Sequence, residues 1–294
     1  MRAVDTGAVP AVTARPGGTL TVKRSAAWAL MTAAVLFLFS PTLLWMNARF
    51  FEENSYYGHG WLIPAAIAFL IYRRREEILA VPARPSRFGL LLLAVTLSLH
   101  LLAQLFGINF LSAAALPLVV FSLVLAHFGF RRARYLIGPL LLTVFMIPLP
   151  GIWIIAITFR LKTLAVDAGV ALGRLFGFPI VQSGIEIILP TGPPGETLRI
   201  GDPCSGLRSF FSFGALGGFF ALLLPLGRLR RAAVFLTALV LAPFSNLLRV
   251  VSLILLRQTV GPEILSETWH IALGVGIFFI CFLIFLQVTR WLLR

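Results

Sequence analysis

The chain is a succession of long apolar runs in which every second connector carries a cluster of arginines, and that alternation restricts what it can fold into. The runs fall at about 26–46, 57–72, 88–106, 110–129, 135–149, 210–226, 232–256 and 269–293. A hydrocarbon core about 30 Å thick takes about 20 helical residues to cross, so most of these runs are long enough. Composition points the same way. Of the 294 residues 59% are hydrophobic and 12% charged, whereas a soluble domain carries roughly 25% charged residues. So few charges cannot cover so much apolar side chain, which excludes an ordinary soluble enzyme, a disordered tail protein and a disulfide scaffold. The expected fold is an all-α polytopic membrane protein of about eight transmembrane helices.

Arginine placement orients those helices. Arg73, Arg74, Arg75, Arg84 and Arg87 follow the second run, Arg131, Arg132 and Arg134 the fourth, and Arg228, Arg230 and Arg231 the sixth. The intervening connectors differ: 47–58 sets Arg49 against Glu52 and Glu53, and 107–109 is uncharged. Positive charge marks cytoplasmic loops. With an even number of crossings both termini are then expected in the cytoplasm, and Arg290 and Arg294 agree. The formal charge of +14 belongs to this topology, so no nucleic-acid partner is expected. Residues 1–25, with Arg2, Arg15, Lys23 and Arg24 among scattered Gly and Pro, read as a cytoplasmic tail, and 26–294 as an integral membrane domain. The first run is too long for a signal-peptide core and has no A-x-A-like exit, so it reads as a retained helix.

One connector, 150–209, is large and is expected on the outer side. Its first half, 152–176, is apolar but carries Arg160, Lys162, Asp167 and Arg174. Each such charge at the bilayer centre costs about 2.5–3.5 kcal/mol on the insertion scale, which favours an amphipathic helix on the outer membrane face over a ninth crossing. Beyond it, Ile180-Val181-Gln182, Ile185-Glu186-Ile187-Ile188-Leu189 and Thr197-Leu198-Arg199-Ile200 are separated by Ser183-Gly184 and Thr191-Gly192-Pro193-Pro194-Gly195. Short β-branched runs divided by turn residues predict a small β-ribbon leading into the sixth run.

Several chemistries have no residues here. HExxH, Walker and GxGxxG signatures are missing, as is a GxSxG elbow, and no pair of aspartates falls within the runs. Neither a metal nor another cofactor is expected. What remains is Asp202-Pro203-Cys204-Ser205-Gly206-Leu207-Arg208-Ser209, where the ribbon hands over to the sixth run. A cysteine at or near a helix N-terminus meets unsatisfied N–H groups and the positive end of the dipole, which favour thiolate over thiol. A helix beginning at Cys204 puts Arg208 at i+4 on the same face. The same residues also suit a structural cysteine in a turn ahead of a membrane helix.

Two further polar residues fall at the same depth. Arg249 lies near the outer end of the seventh run with Asn246 three residues earlier, a spacing that puts both on one helical face. An arginine there is a functional candidate, or one that snorkels to the interface. His270 opens the eighth run beside Trp269 and, taken alone, reads as an interfacial histidine. Together, however, Cys204, Arg249 and His270 fall at the outer ends of three consecutive runs. A thiol nucleophile, an imidazole and a fixed cation are the parts that acyl transfer needs. Arg208 and Asn246 are candidates for holding substrate. Cys281, in Ile280-Cys281-Phe282, reads as a small buried hydrophobe, while His100 and His127 read as structural.

Cys204-Ser205-Gly206-Leu207-Arg208, Asn246-Leu247-Leu248-Arg249 and His270, in that order, resemble the exosortase/archaeosortase family. The early Tyr57-Gly58-His59-Gly60-Trp61-Leu62-Ile63-Pro64 with Arg73-Arg74-Arg75, and Pro148-Leu149-Pro150, are similar to it as well. The resemblance runs from about Tyr56 to the C-terminus. It implies a membrane-embedded cysteine transpeptidase or protease of the bacterial inner membrane, with its active site at the periplasmic face. Its partners would be secreted proteins anchored by a C-terminal signal: a Pro-Glu-Pro motif, an apolar helix and a basic end. Residue by residue it implies Cys204 as nucleophile with Arg249 and His270. The acceptor nucleophile stays open, and His59 is left as a residue that shapes an outer loop. The rival readings are a multi-span transporter or envelope-polysaccharide export component without thiol chemistry, and a non-catalytic membrane scaffold.

Overall fold

The computed structural model describes residues 29–53, 55–188, 197–199, 206–261 and 267–294. The first 28 residues, and with them the 1–25 tail, lie outside the described residues, as do Asp202 and Cys204. In chain order the helices are α1 (Ala29–Leu38), α2 (Ser40–Phe50), α3 (Leu62–Arg73), α4 (Arg75–Ala80), α5 (Arg87–Leu105), α6 (Asn109–Phe128) and α7 (Phe130–Leu141). A 3-10 turn at Leu142–Phe145 precedes α8 (Gly151–Leu175). Then come strands β1 (Val181–Ser183), β2 (Glu186–Ile188) and β3 (Thr197–Arg199), and helices α9 (Leu207–Leu223), α10 (Arg228–Thr259) and α11 (Glu267–Leu293).

Each predicted apolar run contains a helix, but their lengths differ. Among the described residues four helices are long and apolar enough to cross a membrane: α5, α6, α10 and α11. A fifth crossing is available if α1 and α2, bent by 65° at Phe39, act as one. Helices α3 and α9 are shorter, at 12 and 17 residues. The fifth run is not one helix. α7 starts at Phe130, because Gly129 at φ 79° ends α6 directly before it, and Arg132 in its first turn donates to the Val81 and Leu79 carbonyls at 2.7 and 3.2 Å. With Pro139 in its last turn, α7 gives way to the 3-10 turn well before Pro148. The count of eight full-length crossings is therefore larger than the helices long enough to make them.

The bend between α1 and α2 is built from sequence. Pro41 has no N–H and crowds the carbonyl four residues back, and Ser40 Oγ donates to that carbonyl, Phe37 O, at 2.7 Å. The neighbouring Leu38 carbonyl lies 3.2 Å from His100 Nε2. A carbonyl only accepts, so Nε2 carries the proton and Nδ1 accepts from Ser112 Oγ at 2.8 Å. Thr42 Oγ1 then donates to Ser112 at 2.5 Å, and the Gln104 amide donates to both hydroxyls. His100 thus sits in a largely buried polar network joining α2, α5 and α6.

Without a hydrophobic drive between helices in lipid, close approach depends on small residues. Gly214, Gly217 and Gly218 line one face of α9. A Cβ at these positions would run into Phe145, Ala238 of α10 and Leu142 respectively. The 150–209 connector holds its predicted helix and sheet. α8 buries a stripe of Thr158, Lys162, Ala165, Val166, Gly169, Val170 and Gly173. Its second half packs on Val250, Leu253 and Ile254 of α10. The antiparallel sheet, ordered β1-β2-β3, adds Ile187, fully buried, to the same cluster.

Candidate active site

Helix α10 runs from the end of the bundle where the arginines collect to the opposite end, and α11 runs back to it, with Arg230 of α10 donating to Leu292 O of α11. At 1.5 Å per residue, Arg249 lies about 31 Å along α10 from Arg228, and His270 about 30 Å along α11 from Arg290. The two positions are therefore at matching depth, about one hydrocarbon thickness from the arginine-rich end.

Arg249 donates from Nη2 to Asn246 Oδ1 at 2.9 Å, a charge-assisted contact within one helical turn. Asn246 itself is 4% exposed. On its other side is Gly206, the residue ahead of α9, in the left-handed conformation at φ 77°. A Cβ there would lie 2.8 Å from Asn246 Cγ. On the α11 side the Arg249 guanidinium lies over Gly274, where a Cβ would be 3.4 Å from Nη1. Asn246 and Arg249 thus touch the start of α9 and the face of α11 at once.

Of the predicted site residues, the structure brings Asn246 and Arg249 into contact. The backbone of His270 is in the first turn of α11, one turn before Gly274 and so above the same face; its side chain lies outside what is described. Cys204 lies outside the described residues, two positions before Gly206. Arg208 is exposed in the first turn of α9. Helix α9 starts at Leu207, with left-handed Gly206 ahead of it, rather than at Cys204, the start that would put Arg208 at i+4 on the same face. The first intrahelical bond is Phe210 N–H to Gly206 O at 2.9 Å. The Asn246 oxygen is engaged by Arg249 and its side chain is buried.

A cavity of about 310 Å³ opens beside this cluster. Gly206 and Asn246 border it, with Leu161 and Leu164 of α8, Phe210 of α9 and Pro243 of α10 among its walls. The chemistry of its lining is apolar. Among the described residues no three His, Cys, Asp or Glu side chains come together as metal ligands.

The early motif is tied to the same framework. Tyr57, buried in the 51–61 connector, has its hydroxyl accept from Leu149 N–H at 3.0 Å and its ring on Phe211 at 4.8 Å. Burial pushes this phenol up to about 12. His59 lies 3.1 Å from Phe145 O through Nε2, which must therefore donate, leaving Nδ1 to accept from Ser212 Oγ at 3.4 Å. Burial lowers its pKa. His59 clamps the connector to the carbonyl that ends the 3-10 turn and to α9. Ser212, Gly206 and Gly274 were missed as contributors. Each is a small residue within or beside an apolar run, and spacing alone assigns it no role. Cys281 is buried as a free thiol within α11, and His127 Nδ1 lies 2.9 Å from the Leu123 carbonyl of its own helix.

The helices and this cluster define a multi-pass helical membrane protein with a polar, partly buried centre at one end of its bundle. The family described as transmembrane exosortase matches residues 45–287, and the chain belongs to that family. This makes it a member of a membrane protein-sorting family. No curated protein and no solved structure matches the chain.

Proposed function

We propose that the chain is a cysteine transpeptidase or protease of the bacterial inner membrane that processes proteins carrying a C-terminal sorting signal at the periplasmic face. The observation that carries this reading is the Gly206–Asn246–Arg249–Gly274 contact. It pins the residue two positions after Cys204, the cation on α10 and the helix face one turn from His270 to one another. In this reading the Cys204 thiolate attacks the scissile carbonyl carbon and the C=O π electrons move to oxygen. Arg249 and the first-turn N–H groups of α9 stabilise that oxyanion. His270 takes the thiol proton and returns it to the leaving amine as the C–N bond breaks. Water or an acceptor amine then opens the Cys204 thioester and releases the thiol. Arg208, exposed in the first turn of α9, contacts substrate.

The substrate's apolar tail helix approaches through the membrane, and the cavity beside Gly206 and Asn246 supports a lateral route between α8 and α10. Topologically, the arginine connectors favour eight traverses with both termini cytoplasmic, the shorter α3, α7 and α9 accommodated by local thinning of the bilayer. The chemistry is tested by adding hydroxylamine to membranes processing a tail-signal protein. A thioester is intercepted as a C-terminal hydroxamate on the released product, detected by mass spectrometry, and Cys204→Ala gives none. Release of product with no hydroxamate, unchanged in Cys204→Ala, overturns the reading.

A further inference from the structure

The arginine-rich end of the bundle holds an apolar groove of about 490 Å³ between the 3-10 turn, α9 and α10. Val144, Leu141 and Phe235 are among its walls, and Leu141 and Val144 are 61% and 57% exposed, so it opens toward the surroundings of the bundle. Arg228 and Arg231 complete its lining. A second hollow of about 540 Å³, formed by residues 225–230 with Leu293, shares Arg228 with the groove. Apolar walls and a cationic hollow thus meet at one residue.

Among the described residues no carboxylate is paired with Arg74, Arg228, Arg230 or Arg231. Arg74 donates to Leu222 O at 2.9 Å, Arg230 to Leu292 O at 3.2 Å and Arg231 to Leu226 O at 3.3 Å. Each is thereby held near the groove by a backbone carbonyl that leaves its full charge uncompensated. The buried Nε of Arg231 has no hydrogen-bond partner among the described residues. Neither Arg49–Glu52 nor Arg75–Glu76, both ion-paired, involves Arg228, Arg230 or Arg231. Arginine side chains line apolar space with their stems while the guanidinium stays at a polar boundary, which matches a ligand that is apolar along its length and anionic at its head.

We propose that this groove is a binding site for an anionic membrane phospholipid, with an acyl chain along Val144 and Phe235 and the phosphate against Arg228 and Arg231. Guanidinium and phosphate are complementary in charge and in hydrogen-bond geometry. The site is independent of the chemistry proposed for Cys204. The test uses the full chain in nanodiscs of equal phosphatidylglycerol and phosphatidylcholine, extracted into mild detergent and weighed by native mass spectrometry. The wild-type chain is expected to retain phosphatidylglycerol in preference. Arg228→Gln, an exposed position, lowers that retention about fivefold, as expected for one basic residue at an anionic membrane surface, and Arg228→Gln/Arg231→Gln removes the preference. Val144→Trp fills the groove and loses the retained lipid with both arginines present, while the exposed Arg87→Gln changes nothing. Equal retention of the two lipids by the wild type, or an undiminished preference in the double variant, overturns the proposal.

Discussion

Gly206 sits in the left-handed conformation at φ 77° directly against Asn246, so close that a Cβ on it would lie 2.8 Å from Asn246 Cγ. Both halves of that relationship demand glycine. An L-residue in this conformation costs about 1–2 kcal/mol, and the methyl group must also displace a buried amide that holds Arg249. Gly206→Ala is therefore expected to lower processing of a tail-signal protein by about tenfold or more, with the protein still inserted and expressed. Immunoblotting of substrate and enzyme together checks it.

Arg249 reaches Asn246 through a planar guanidinium that also lies over Gly274. Lysine has neither the fork nor the plane. Arg249→Lys is expected to lose nearly all processing despite keeping the charge. Asn246→Ala removes one charge-assisted hydrogen bond, worth about 1.5–3 kcal/mol, and is expected to slow processing about 10- to 100-fold. A quantified time course of precursor loss separates the two.

His59 is clamped in its neutral form between Phe145 O and Ser212, and burial depresses its pKa from the ordinary 6.5. The unfolded chain takes up this proton at a higher pH than the folded one. Stability from His59 is thus complete above about pH 6.5 and lost as the pH falls below it toward the folded value. Thermal unfolding in detergent between about pH 7.5 and about pH 5.5 should show a decline that is shallower in His59→Gln.

The His100–Ser112–Thr42–Gln104 network is hydrogen-bonded member to member, with His100, Ser112 and Thr42 fully buried. Ser112→Ala removes the hydroxyl that bonds all three partners. Leaving buried polar groups unpaired costs about 1–3 kcal/mol. A lowered melting temperature in detergent is expected for Ser112→Ala, with little change in processing by the protein that remains folded.

The helices of the bundle could be read from apolar runs because lipid demands continuous apolar length, and the sheet because Gly-Pro turns separate β-branched stretches. The boundaries of α7 could not. They depend on Gly129 and on Arg132 meeting the carbonyls at the end of α4, far away in the chain. The Asn246–Arg249 face follows from three-residue spacing, which the backbone converts into proximity. The roles of Gly206 and Gly274 come from what packs on them across helices, and no local pattern encodes that. His100 had the same history: its partners come from two other helices.

The central claim is that Cys204 is the nucleophile. The most direct measurement compares Cys204→Ala with Cys281→Ala, each expressed in the native host at wild-type levels, by following one tail-signal protein on an immunoblot. Accumulation of uncleaved precursor in Cys204→Ala, with normal cleavage in Cys281→Ala and restored cleavage on complementation, is the predicted result. Normal cleavage by well-expressed Cys204→Ala contradicts the account.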